Sequence, residues 1–261
     1  MTEPAILLDI ADDIATITLN RPDAGNAINL AFVNDLLAAA TRVAGDASIR
    51  CVVLMARGRF FSVGGDLDEF AAAGEGVSSF LADIAGTLHR AIACLMRMEK
   101  PLLVLVNGPA AGAGLSLAIM GDVVLAAREA GFAAGYGRVG LSPDGGMSWM
   151  LPRLAGLRLA QDMIIANRRL TADEAQAHGL VTCVVDDLAA EGQRRAAELA
   201  AGATGAMGAA RMLLLESAGG GFEAHLDLEM RTIAACAGSP AGHEGVAAFL
   251  AKRKPDFKGA G

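Results

Sequence analysis

Long runs of one kind are what this chain lacks. No stretch of lysine and arginine exceeds the patch Lys252-Arg253-Lys254, and the formal net charge is −7. Recognition of a nucleic-acid backbone needs a coherent positive face, so this composition argues against a nucleic-acid partner. The N-terminus has no basic segment followed by an apolar signal core. The longest apolar stretches are broken by Gly, Asn or Asp before they reach membrane-spanning length. Cysteine is scarce as well: the four, at positions 51, 94, 183 and 236, lie far apart in apolar surroundings with no metal-ligand spacing. Buried free thiols in a reducing compartment are expected, with no bound metal. Together these absences predict a soluble, cytoplasmic protein with no membrane partner.

What the chain does have is apolar residues, 53% against 20% charged, over 261 positions. That suffices for one large domain or a domain with an appendage. The pattern predicts strands at Ile6–Ile10, Ile14–Leu19, Ile49–Met55, Leu102–Val106, Val123–Ala127 and Val181–Val185. Between them it predicts helices over 29–43, Ser78–Met98, Ala113–Met120, Gly156–Asn167 and Ala172–His178. Strand and helix alternate to about residue 187, which predicts an α/β core over 1–187. From 188 to 261 the pattern is all helical, punctuated by glycines, and reads as a helical appendage.

Two segments carry chemistry. Asn107-Gly108-Pro109-Ala110-Ala111-Gly112-Ala113-Gly114-Leu115-Ser116 follows an apolar strand. Its small residues let main-chain N–H groups approach a ligand and meet a developing oxyanion. Gly140-Leu141-Ser142-Pro143-Asp144-Gly145-Gly146 presents a single carboxylate between a proline and two glycines, where it could move a proton. Each segment alone also reads as a tight turn.

Further motifs join these. Leu19-Asn20-Arg21-Pro22 with Asn26-Ala27-Ile28-Asn29, then Phe61-Ser62-Val63-Gly64-Gly65-Asp66-Leu67, then Asn107 to Gly114, and finally Phe249 to Phe257 together resemble the enoyl-CoA hydratase/isomerase family, the crotonase superfamily. The likeness spans essentially the whole chain. It implies a spiral β-β-α core with a C-terminal helical trimerisation segment, assembled as a homotrimer or a dimer of trimers. It also implies an acyl-CoA substrate, so that coenzyme A is part of the substrate and no separate cofactor is needed. Carried over residue by residue, the oxyanion-hole donors fall on Gly65 and Ala113. Contacts to the CoA portion fall near Phe61 and Val63, with Lys252 at the phosphates, offered by a neighbouring subunit. Asp66 is assigned to loop scaffolding.

The departures matter more. A typical hydratase of this family uses two glutamates, and their positions here hold Ser116 and Tyr136. Serine has no useful basicity at neutral pH, and an unperturbed tyrosine titrates at about pH 10. Asp144 remains, in a segment resembling the Δ3,Δ2-enoyl-CoA isomerases and the ring-epoxide phenylacetyl-CoA isomerase type. One carboxylate suffices for a 1,3-proton shift, and Asp144 is expected among Leu141, Met147 and Trp149. The 4-chlorobenzoyl-CoA dehalogenases also place an aspartate at this position, with a histidine twelve residues before the strand's proline, as His89 stands before Pro101. His89 and Trp149 are thus accessory candidates, although His89 also reads as a satisfied interhelical histidine. The expectation is an acyl-CoA double-bond isomerase. The alternatives are a hydratase with atypical water positioning, a dehalogenase-like enzyme and a non-catalytic acyl-CoA binding protein.

Overall fold

A computed structural model describes residues 3–259. Strands β1 (Ile6–Ala11) and β2 (Ile14–Leu19) form an antiparallel hairpin turning at Asp12 and Asp13, both at positive φ. Helix α1 (Leu30–Gly45) starts where the Asn29 side chain accepts the Phe32 N–H, the usual way to satisfy a free first-turn donor. The order then runs β3 (Cys51–Ala56), α2 (Leu67–Ala72), α3 (Val77–Arg97), β4 (Leu102–Val106), β5 (Ala110–Ala111), α4 (Ala113–Ile119), β6 (Val123–Ala127) and β7 (Gly131–Ala133). It continues α5 (Met147–Ala155), α6 (Leu157–Ile164), β8 (Arg169–Thr171), α7 (Ala172–Ala177) and β9 (Cys183–Val185). Helices α8 (Leu188–Ala201), α9 (Thr204–Glu216), α10 (Phe222–Ala237) and α11 (Pro240–Leu250) close the chain. This is the β-β-α core with a C-terminal helical segment that the resemblance implies.

The main sheet runs β1-β2-β3-β4-β6-β9, parallel throughout after the hairpin. Both of its faces are covered, which is why β4 reads as an unbroken apolar run. Leu102, Val104 and Val106 face the cluster built with α1, α3 and α4. Leu103 and Leu105 join Cys51, Val53 and Leu125 on the opposite face, where α8 lays down Ala196 and Ala200. Although α8 heads the all-helical segment, it therefore packs on the sheet. Arg211 of α9 ties the next helix down, its guanidinium meeting Asp122 at 2.6 Å and the carbonyls of Met98 and Lys100.

The helix spanning Gly74–Arg97 is long and apolar enough to cross a membrane by length and composition. In the fold it packs along α1, burying Ile84, Leu88, Ile92 and Leu95.

A second sheet, β5-β7-β8, was not expected from the pattern, because strands of two or three residues are too short to show alternation. Two helices were missed as well. Short α2 follows directly on a glycine-rich loop, and α5 follows Gly146 and contains Pro152, both breaker signals in sequence.

Candidate active site

Strands β3 and β4 are parallel neighbours, paired Val52 to Leu102 and Leu54 to Val104, so their C-terminal loops leave the sheet side by side. In open α/β sheets this is the end where ligands bind. The two loops are stitched together: the Ala111 N–H donates to Ser62 O at 2.9 Å, and the Phe61 N–H to Pro109 O at 3.1 Å. Asp66 anchors the first loop as expected of a scaffold, capping α2 and pairing with Arg21 at 3.0 Å.

This stitching brings Gly65 and Ala113 to the wall of one cavity of about 290 Å³. Among the described residues, neither amide N–H has a hydrogen-bond partner. An unpaired N–H inside a protein costs on the order of 1–3 kcal/mol, and two of them opening on one cavity are able to receive an acceptor such as a carbonyl oxygen. A Cβ on Gly65 would stand 2.6 Å from the tip of the Phe70 ring, so any larger residue there has to move that ring.

The rest of the lining is apolar, drawn from α2, α3 and the 139–142 segment, with Leu67, Leu81, Ile84, Leu88 and Leu141 prominent. Asp144 is the single carboxylate among the lining residues, and Tyr136 is the single other titratable group. The Asp144 turn is made by Gly145 and Gly146, both at positive φ, and it leads directly into α5.

Three side chains hold that turn. The Ser116 hydroxyl donates to the Asp144 carbonyl at 3.1 Å, and the Gly145 N–H donates to His89 Nε2 at 3.0 Å. The Tyr136 hydroxyl donates to Asp144 Oδ1. Burial and then the negative charge of Asp144 push the Tyr136 phenol far above its ordinary range, so it stays protonated. Both residues at the family's glutamate positions thus bind Asp144. The sequence signalled the positions but not this coupling, which needs the 116, 136 and 144 segments folded together.

Other expected site residues fall elsewhere. Phe61 is fully buried, packed into the main core cluster, and offers no surface to CoA. Val63, 42% exposed, does line the cavity. Trp149 lies on the far side of the turn, stacked on the Arg153 guanidinium at 4.1 Å, and lines a different cavity with His89 and Met96. Met147 is buried in the core, and of the three apolar neighbours expected around Asp144 only Leu141 shares its cavity. Lys252 sits in the exposed turn after α11, outside the cavity lining. Among the described residues, no group of three His, Cys, Asp or Glu side chains is placed to hold a metal ion.

Two free amides and a single acid around an apolar cavity form an arrangement able to accept a carbonyl oxygen and to exchange a proton beside it. Comparison with known proteins narrows this. Residues 9–260 match the family model described as enoyl-CoA hydratase/isomerase. The 2,3-dehydroadipyl-CoA hydratase of Escherichia coli is 38% identical, over 94% of this chain and 95% of that protein. The 1,2-epoxyphenylacetyl-CoA isomerase of Escherichia coli is 36% identical, over 97% and 98%. The crystal structure of an enoyl-CoA hydratase from Mycobacterium smegmatis superposes with a TM-score of 0.91 at 31% identity, over 98% of this chain and 100% of that one. The chain belongs to the enoyl-CoA hydratase/isomerase family. Its relatives include both hydratases and isomerases, so membership brings acyl-CoA chemistry without choosing between the two.

Proposed function

We propose that the protein is an acyl-CoA isomerase that moves a carbon–carbon double bond through a thioester dienolate. The observation that carries this reading is that Asp144 is the one carboxylate in the cavity lining, while the glutamate positions hold Ser116 and a Tyr136 that keeps its proton. The Gly65 and Ala113 amides would receive the thioester carbonyl. Asp144 would take a proton from C2 of a 3-enoyl thioester, moving the charge onto the thioester oxygen between the two amides. Returning that proton to C4 gives the 2-enoyl thioester and restores the carboxylate. Each well-placed amide contributes about 3 kcal/mol to such an anion.

The apolar lining suits a hydrocarbon or aromatic acyl group. Phe222 and Ile233, 72% and 70% exposed, head an apolar surface on the C-terminal helices. They support assembly as a homotrimer or dimer of trimers. Lys252 belongs to this reading only as a phosphate contact offered to a neighbouring copy.

Incubation with 3-enoyl-CoA and 2-enoyl-CoA in deuterated water tests the activity. Interconversion of the two with deuterium entering C2 and C4 is the expected result. A 3-hydroxyacyl product would make the protein a hydratase, and unchanged thioesters would make it a binder.

A further inference from the structure

We propose that Tyr136 is the positioning residue of this site: its hydroxyl, bonded to Asp144 Oδ1, reserves Oδ2 for proton transfer. The proposal rests on Asp144 being the base, and its test separates the two claims. Ser116 and His89 act only on the backbone of the turn, one at the Asp144 carbonyl and the other at the Gly145 N–H. Those two bonds fix where the turn sits but leave the carboxylate free to rotate about its side-chain torsions. Among the described residues, Tyr136 is the one side chain that hydrogen-bonds the carboxylate itself.

Tyr136 cannot follow a wandering carboxylate. Its ring is part of the main core cluster and is only 9% exposed. The other oxygen, Oδ2, stands 3.9 Å from His89 Nε2, whose lone pair already accepts the Gly145 N–H. Oδ1 therefore carries a donor, while Oδ2 faces an acceptor and keeps its lone pairs for a substrate proton. The titratable groups facing Asp144 are Tyr136, from the turn after β7, and His89, from α3; α4 presents Ser116, which does not titrate. Burial and the negative charge of Asp144 hold the phenol protonated.

Tyr136 is the single tyrosine of the chain, so phenolate absorbance reads this pair directly. In the native protein no phenolate should appear at about pH 10, where a free phenol titrates, and its absorbance should rise only together with loss of the circular-dichroism signal. In Asp144→Asn, phenolate should appear at lower pH while the fold persists. A native phenolate titrating at about pH 10, or no change in Asp144→Asn, overturns the pairing whether or not the enzyme is an isomerase. With 3-enoyl-CoA as substrate, Tyr136→Phe should lower kcat about tenfold, the worth of one hydrogen bond to a charged group, with KM nearly unchanged. An unchanged kcat, or a loss carried by KM instead, overturns the positioning role. A wild-type enzyme that leaves 3-enoyl thioesters untouched defeats the isomerase reading alone.

Discussion

The Gly145 N–H points at Nε2 of His89 across 3.0 Å, so the ring nitrogen nearer Asp144 is an acceptor and the imidazole proton sits on Nδ1. His89 thus meets the turn as a hydrogen-bond acceptor that holds it in place. The His89 side chain is 49% exposed, so water can replace the lost acceptor in His89→Phe. The expected cost is about 1 kcal/mol in urea denaturation, with a fall in turnover of only a few fold. His89→Gln, which retains an acceptor oxygen, should recover most of it. A loss of activity in His89→Phe as large as in an Asp144 variant would instead make His89 a participant in the chemistry.

Gly114 is a packing requirement on the same wall. A Cβ there would stand 2.6 Å from both the Cβ and the carbonyl oxygen of Ser62, which is fully buried and bonded to Asn26 O at 2.9 Å. Ser62 has nowhere to go, so Gly114→Ala must push α4 away from the first loop and carry the Ala113 N–H with it. Destabilisation of about 1–3 kcal/mol is expected in a denaturant titration. A fall in turnover should accompany it, because the two amides no longer meet one oxygen. Native stability with native kinetics would show that the loops have slack.

Long, strongly patterned elements were legible in the sequence. The stripe Ile84, Leu88, Ile92 and Leu95 gave α3, and the apolar run Leu102–Val106 gave the central strand. Motifs pointed to Gly65 and Ala113, and both lie on the cavity wall with N–H groups that have no partner among the described residues. What stayed hidden depends on contacts between distant segments. Strands β5, β7 and β8, of two or three residues, exist only because distant partners complete them, Phe132 for Ala110 and Thr171 for Gly131. The Ser116 and Tyr136 bonds to Asp144 join three segments, and hydrophobicity cannot tell a buried Phe61 from a cavity-lining Val63 in the same loop.

The C-terminal helices carry a prediction about assembly. Leu214, Phe222, Met230 and Ile233 leave most of their surface exposed, at 75%, 72%, 56% and 70%. Burying each such side chain contributes about 1.5–3 kcal/mol, so a shared interface through this face would be strongly favoured. Sedimentation equilibrium should give the mass of a trimer or hexamer at micromolar concentration. Paired substitution of Met230 and Ile233 by Asp should lower that mass if α10 lies in the interface. A wild-type chain that remains monomeric would sink the proposal.

Asp144 gives the sharpest test of the chemistry. Asp144→Asn keeps the volume of the side chain and an oxygen to accept the Tyr136 hydroxyl, and it leaves the Ser116 and Gly145 bonds to the backbone untouched. What it removes is the group that can take a proton. Isomerisation of a 3-enoyl thioester should fall by about 10²–10⁴, the contribution of a positioned general base. Thioester affinity, measured by calorimetry with a saturated acyl-CoA, should hardly change, since the Gly65 and Ala113 amides remain. Ser116→Ala should cost much less, because that hydroxyl only braces the turn. Turnover in Asp144→Asn equal to that in Ser116→Ala would return Asp144 to the status of a turn residue and leave the cavity without its base.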